Sequence, residues 1–83
     1  MIQHDRENHT FLIKNPEGIS WLEYQETDRS VTVLHTVVPP ELSGKGLAAR
    51  LAAAAWDYAQ KQHKEICSEC SYMTAWLKRR TRS

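Results

Sequence analysis

Residues 31–61 read VTVLHTVVPPELSGKGLAARLAAAAWDYAQK, and this stretch decides the fold. Its first part, Val31–Val38, is rich in the β-branched residues that favour strands, and the pair of prolines after it ends the strand. The turn Ser43-Gly44-Lys45-Gly46 then leads into an uninterrupted run of Ala and Leu, the strongest helix formers. The stretch therefore predicts a strand, a glycine turn and a helix over Leu47–Lys61.

Two further strands precede this unit. Thr10–Lys14 and Ile19–Tyr24 have the residue types and spacing of strands, and the turn-forming residues Asn15–Gly18 separate them. Short turns can join only antiparallel neighbours. We therefore expect the first three strands to form an antiparallel meander.

The chain after the helix predicts one more strand and one more helix. Lys64–Ser68 is short and suits a strand, whereas the apolar residues within Ser71–Arg80 recur at helical spacing. One stripe of the preceding helix is apolar and should pack on the sheet; its members are Leu47, Leu51, Ala54, Ala55 and Tyr58. No repeat or linker divides the chain, so the prediction is a single α+β domain over residues 1–83, in the order β-β-β-α-β-α.

Size and charge limit the classes of function. A chain of 83 residues buries only about 60% of its unfolded surface, so its core is marginal without further support. The formal net charge of +1 argues against a protein whose main role is binding nucleic acid. No apolar run approaches the roughly 20 residues of a membrane span, and the polar start does not resemble a signal peptide. We expect a cytoplasmic protein without nucleic-acid or membrane partners, as a monomer or a homodimer.

The glycine turn is a candidate phosphate site. Backbone N–H groups at the start of a helix have no intrahelical partner, and together with the helix dipole they attract anions. A simple turn is the alternative, and a Walker loop is excluded because Lys45 is followed by Gly46 rather than Ser or Thr. Gly44–Ala49 formally matches the dinucleotide fingerprint G-x-G-x-x-G/A, but that fold needs parallel strands where this sequence predicts a meander.

Three motifs give a family resemblance over about Val31–Arg80. Val37–Ala48 resembles the acetyl-coenzyme A motif of the GNAT acetyltransferase superfamily, with Ser43 where that motif has Arg or Gln. The chain is also similar to a branch of very small GNAT-like proteins with a His-Thr pair on the strand, a glycine turn and a Cys-Ser-Tyr signature. His35-Thr36, Gly44-Lys45-Gly46 and Cys70-Ser71-Tyr72 match these motifs in order.

This resemblance implies a minimal GNAT-like fold and an acetyl-CoA site. The pyrophosphate is expected on backbone N–H groups of the glycine turn and the helix start, and the pantetheine along the strand near Thr36–Val38. The cofactor-binding residues implied are Thr36, Val37, Val38, Ser43, Gly44, Lys45, Gly46, Leu47 and Ala48.

The same resemblance implies Cys70 and Tyr72 as catalytic residues, and His35 is a further candidate because imidazole is chemically suited to proton transfer. In one scheme Cys70 accepts the acetyl group and an amine then resolves the acetyl-cysteine; in the other the amine attacks acetyl-CoA directly and Tyr72 protonates the departing thiolate. Both schemes stay open, and His35 is either a base for the amine or a structural residue. A thiol near a helix start has a lowered pKa, which suits Cys70 to the first scheme.

The two cysteines do not predict a metal site. Residues three apart in an extended segment point to opposite faces, so Cys67 and Cys70 would not face each other, and a metal needs more ligands at suitable spacing. We expect Cys67 to be buried and inert. The function predicted is acetyl transfer from acetyl-CoA to an unidentified amine, which can belong to a macromolecule; the alternative is a non-catalytic acyl-CoA-binding module that acts through a protein partner.

Overall fold

The computed structural model describes residues 2–81 and contains a five-stranded sheet with two helices. The elements are β1 (Ile2–Asp5), β2 (Thr10–Asn15), β3 (Gly18–Glu26), β4 (Ser30–Val37), α1 (Leu47–Lys61), β5 (Glu65–Ser68) and α2 (Ser71–Thr81), with a 3-10 turn at Pro40–Leu42. Strands β1 to β4 are antiparallel and β5 is parallel to β4, in spatial order β1-β2-β3-β4-β5. Neither helix within this part of the chain is long and apolar enough to cross a membrane. The predicted α+β class is confirmed, and the order is β-β-β-β-α-β-α, with one more strand at the start than the predicted β-β-β-α-β-α.

Strand β1 is the element that the sequence did not reveal. Its four residues, IQHD, have no β-branched or aromatic run, and the strand forms because it pairs with β2 over its whole length. Ile2 lies opposite Ile13, and the ring of His4 stacks on Phe11 with centroids 4.0 Å apart. Tertiary pairing, rather than local propensity, therefore creates this strand.

The core lies between one face of the sheet and α1. Alternate residues of β2, β3 and β4 are buried on that face, as a half-covered sheet requires. The buried side chains of α1 include three alanines, and small residues let the helix approach the sheet closely. These buried residues are Leu47, Leu51, Ala52, Ala55, Tyr58 and Ala59. Met73, which is fully buried, adds α2 to the same cluster.

A bulge interrupts the pairing of β3 with β4. Tyr24 lies opposite Val33 and Glu23 lies opposite His35, so Leu34 is an extra residue without a partner on β3. A bulge shifts the alternation of side chains by one position and bends its strand. As a result His35, which simple alternation would place beside Val33, is exposed on the face away from α1.

Polar contacts fasten the sheet to α1 at the end away from the glycine turn. The hydroxyl of Tyr58 donates to Glu26 at 2.8 Å, and Lys64 forms an ion pair with the same carboxylate at 2.6 Å. His4 and the Tyr24 hydroxyl are 2.7 Å apart. These contacts join the first strand, the third strand, the helix and the loop after it.

The ion pair gives a testable pH dependence. Burial raises the pKa of Glu26, but hydrogen bonds from Lys64 and Tyr58 outweigh burial and leave that pKa below its ordinary value of 4.5. The pair therefore stabilises the fold fully above about pH 4.5, and this contribution is lost as the pH falls through the lower pKa of the folded state. Glu26→Gln should lower the free energy of unfolding by about 1–2 kcal/mol at neutral pH. Urea unfolding of both proteins should show this difference shrinking in acid.

Glu17→Gln is the matched control for this experiment, because Glu17 is exposed in the turn between β2 and β3. The free energy of unfolding of the Glu17→Gln variant should equal that of the wild type at every pH. If Glu26→Gln lowers the free energy of unfolding by the same amount in acid as at neutral pH, the charge of Glu26 is not what stabilises the fold.

Candidate functional site

The carboxyl end of β4, the glycine turn and the start of α2 meet at one end of the molecule. The thiol of Cys70 lies 3.6 Å from the hydroxyl of Thr36, so the segment before α2 touches the end of β4. Tyr72 lines the same pocket as Gly44 and Gly46. Parts of the three sequence motifs are therefore close together in space.

Strand β4 has an open edge at this end. It pairs with β5 only from Ser30 to Val33, and the last contact is a hydrogen bond of 2.8 Å from the Glu69 N–H to the Val33 carbonyl. Beyond Val33 no strand within residues 2–81 pairs with this side of β4, although β3 still pairs with the other side as far as Val37. The predicted cofactor residues Thr36 and Val37 lie on this stretch. Its free edge can bind an extended ligand in the manner of an added strand.

The glycine turn has an unusual backbone and open space around it. Gly44 has φ +82° and Gly46 has φ +75°, which are left-handed conformations that favour glycine. A Cβ atom at either position would meet no heavy atom within 4 Å, so the backbone conformation, rather than crowding, requires glycine here. A ligand can therefore approach the backbone of the turn closely.

The start of α1 offers free backbone donors. Gly46 caps the helix, and its carbonyl accepts the first helical bond from the Arg50 N–H at 3.1 Å. The N–H groups of Leu47, Ala48 and Ala49 point out of the helix end without intrahelical partners. No acidic residue lies in the first turn of α1, whereas Lys45 and Arg50 are exposed cations beside it. This helix end is suited to a phosphate group.

A pocket of about 260 Å³ connects the turn with α2. It contains most of the residues predicted to bind the cofactor; the lining residues are Val38, Leu42, Ser43, Gly44, Gly46, Leu47, Ala48, Ala49 and Tyr72. Lys45 lies in the turn but is not part of the lining. The structure thus groups the predicted turn residues around one cavity, and Tyr72 forms a wall of that cavity.

Cys70 is held immediately before α2 by two residues that the sequence analysis did not single out. The Ser68 hydroxyl accepts a hydrogen bond from the Cys70 N–H at 3.1 Å and donates to the Cys70 carbonyl at 2.8 Å. Thr74 in turn donates to Ser68 at 3.0 Å. A serine three residues before the start of a helix is the sequence signal that could have indicated this turn.

The surroundings of Cys70 favour its thiolate. Burial raises the pKa of the thiol, but the N–H groups of Met73 and Tyr72 and contacts with Thr36 outweigh burial, so the pKa lies below the ordinary value of 9.0. These groups can all donate to a negatively charged sulfur. A lowered pKa increases the fraction of thiolate at neutral pH, and the role of Cys70 as a nucleophile stays a prediction.

His35 lies on the other face of the sheet from the Thr36 side chain, which contacts Cys70. The bulge at Leu34 leaves its side chain exposed, across from Glu23 on the face of the sheet away from α1. Thr36, the other member of the pair, contacts the thiol instead. A catalytic role for His35 stays a prediction.

The two cysteines are both half-buried and free. Cys67, expected to be buried, retains partial exposure, since β5 is an edge strand of the sheet. Within residues 2–81, no group of three or more His, Cys, Asp and Glu side chains is placed to hold a metal ion.

Known proteins resemble this chain in sequence and in structure. Protein NATD1 of Xenopus tropicalis is 27% identical over 81 residues, which covers 93% of this chain and 73% of the relative. Protein NATD1 of Mus musculus is 28% identical over the same share of both chains. The NMR structure of a GCN5-like protein from Staphylococcus aureus superposes with a TM-score of 0.74 at 23% identity and covers 96% of this chain and 79% of that one. This last likeness concerns the fold.

The match to a protein family covers nearly the whole chain. The family model described as GCN5-related N-acetyl-transferase matches residues 10–82, which include the meander, the glycine turn and both helices. The chain therefore belongs to the GCN5-related N-acetyltransferase family.

Proposed function

We propose that the protein binds acetyl-CoA and transfers its acetyl group to an amine through an acetyl-cysteine intermediate on Cys70. One observation carries this proposal: the thiol of Cys70 touches Thr36 at the open edge of β4, beside the pocket formed by the glycine turn and Tyr72. A thiol and a phenol are thus near a region that combines a free strand edge with free helix N–H groups.

The phosphates of CoA are assigned to the glycine turn and the start of α1. The free N–H groups of Leu47, Ala48 and Ala49 supply hydrogen bonds that need no basic side chain. This explains how Ser43 can replace the usual Arg or Gln. Lys45 and Arg50 add positive charge at the rim, where both are exposed.

The pantetheine arm is assigned to the open edge of β4. Its amide groups can pair with backbone groups that β5 leaves free after Val33, in the manner of an added strand. An arm that starts at the turn and follows this edge runs toward Thr36. Because the hydroxyl of Thr36 contacts the thiol of Cys70, the acetyl group would arrive close to the nucleophile.

The proposed transfer has two balanced steps. The Cys70 thiolate attacks the acetyl carbonyl, the bond between that carbon and the CoA sulfur breaks, and Tyr72 gives its proton to the departing thiolate. A neutral amine then attacks acetyl-Cys70, the new carbon–sulfur bond breaks, and the proton lost by the amine returns to the Tyr72 phenolate. Exchange of one thioester for another costs little, and the enzyme ends in its starting state.

The intermediate can be detected directly. Incubation with acetyl-CoA and no amine should increase the intact mass of the protein by one acetyl group, and peptide mapping should place this group on Cys70. Cys70→Ala should abolish the adduct and lower amine-dependent release of CoA by at least about a hundredfold. Cys67→Ala is the matched control and should retain both the adduct and turnover.

Two outcomes would contradict the scheme in different ways. Undiminished acetyl transfer by Cys70→Ala would show direct attack of the amine on acetyl-CoA. Binding of CoA with neither adduct nor turnover would favour the acyl-CoA-binding module that acts through a protein partner.

The role of Thr36 can be tested through the reactivity of the thiol. In a Cys67→Ala background, the rate of Cys70 alkylation by iodoacetamide should rise with pH and reach its midpoint below the ordinary pKa of 9.0. Thr36→Val removes the hydroxyl that can donate to the thiolate, so this midpoint should move to higher pH. If Thr36→Val leaves the midpoint unchanged, the hydroxyl of Thr36 does not lower the pKa of Cys70.

The phosphate site predicts stabilisation by CoA. A ligand at about 100 times its Kd adds about 2.7 kcal/mol to the free energy of unfolding, which raises the Tm of so small a domain by roughly 10–20 °C. Lys45→Ala and Arg50→Ala should each weaken CoA binding about two- to fivefold, and this loss should shrink at high salt.

Lys61→Ala is the control for these substitutions, because Lys61 is exposed in the last turn of the same helix. Its affinity for CoA should match that of the wild type. A Tm that does not respond to CoA would count against the whole proposed site.

A further inference from the structure

One face of the sheet has no covering layer within the described residues. The faces of β2, β3 and β4 that point away from α1 carry Leu12, Ile19, Trp21 and Val37, and the exposed fractions of Ile19 and Trp21 are 46% and 39%. The described chain measures 36 × 33 × 19 Å. A thickness of 19 Å fits one sheet and one helical layer, because packed layers are about 10 Å apart. The bare face is therefore one of the two broad surfaces of the molecule.

The strand register fixes the layout of this face. Leu12, Trp21 and Val37 lie side by side across β2, β3 and β4, and they form a central apolar row. On one side of this row, Lys14 lies next to Ile19. On the other side, Glu23 lies between Thr10 and His35. An apolar centre thus has a cation at one border and an anion at the opposite border.

Neither Lys14 nor Glu23 forms a salt bridge within the described residues. Lys14 and Glu23 are both exposed, and the one salt bridge found among residues 2–81 joins Lys64 to Glu26 elsewhere. The net charge of the chain is only +1, so general repulsion between copies is weak. A surface with one charge of each sign on either side of an apolar row is complementary to itself.

We infer that this face is the interface of a homodimer, covered by the same face of a second copy of the chain. A two-fold axis that lies in the interface, crosses the strands and passes between Leu12 and Trp21 makes the face pack on itself. It brings Lys14 of each copy to Glu23 of the other and leaves both Trp21 rings near the centre. Because such a contact is isologous, the ion pair between Lys14 and Glu23 forms twice, once on each side of the axis.

The size of the face suits a specific dimer of moderate affinity. Four strands of four, six, nine and eight residues, about 4.8 Å apart, cover roughly 400–450 Å² in projection. Side-chain relief brings this toward the roughly 600 Å² per partner at the small end of specific interfaces. Two sheets that meet in this way would bury Trp21, the residue type most enriched among binding hot spots. The opposite face, with α1, the glycine turn and the pocket beside Tyr72, remains free.

Charge reversal tests both the interface and its geometry. We expect sedimentation of the full chain, from about 1 µM to about 1 mM, to show a monomer–dimer equilibrium. Lys14→Glu and Glu23→Lys should each raise the dimer dissociation constant about tenfold, because each creates two like-charge contacts. The double variant Lys14→Glu/Glu23→Lys should return the constant to within about threefold of the wild type. Lys61→Glu, on the helical side, is the matched control and should leave the constant unchanged.

Each outcome has a definite meaning. A chain that is monomeric throughout this range overturns the proposal, and the bare face would then belong to a different partner. A dimer that is insensitive to Lys14→Glu and to Trp21→Ser lies on another surface. A double variant as weak as the single ones overturns the two-fold arrangement. Circular dichroism and the Tm of each variant establish that it is folded, and none of these measurements depends on acetyl transfer.

Discussion

The single extra residue in β4, Leu34, is the constraint on which the site depends. Before it, β4 pairs with β5 and buries Val33 against α1; after it, β4 pairs only with β3 and leaves its other edge open. The bulge also decides which member of the His35-Thr36 pair faces the helical side. Thr36 contacts Cys70, while His35 is exposed on the far face. The bulge thus turns Thr36 toward Cys70, and the end of β5 at Ser68 leaves the edge beside it open.

The sequence predicts the elements whose signals are local. The alanine-rich helix α1 and the β-branched strand β4 have strong propensities of their own, and the glycine turn between them needs a left-handed backbone that glycine adopts freely. Strand β1 and the bulge carry no such signal. Both arise because a neighbouring strand offers backbone partners in a particular register, and that register is a property of the assembled sheet.

The same distinction applies to the candidate site. Glycine positions and the location of Cys70 before a helix could be identified from the residues, since a helix start has the same free N–H groups in any fold. The brace formed by Ser68 and Thr74 could not, because it depends on how the chain turns after the end of β5. The exposure of His35 could not either, because it depends on the bulge between β3 and β4. The prediction that Cys70 is a reactive thiol thus came from the sequence, whereas its contact with Thr36 needed the fold.

A small chain distributes its contacts unevenly, and this distribution suits its proposed role. Tyr58, Glu26 and Lys64 fasten the end of the sheet that lies away from the glycine turn, where strong polar contacts supplement a small core. The end with the candidate site has instead a glycine turn, a free strand edge and a thiol–hydroxyl contact of 3.6 Å. Backbone groups that already pair with a neighbouring strand or helix would have to give up those hydrogen bonds before they could bind a ligand. Free backbone groups at one end are therefore a condition for the proposed binding. The polar contacts at the opposite end stabilise the fold, so that a domain of this size can leave those groups unpaired.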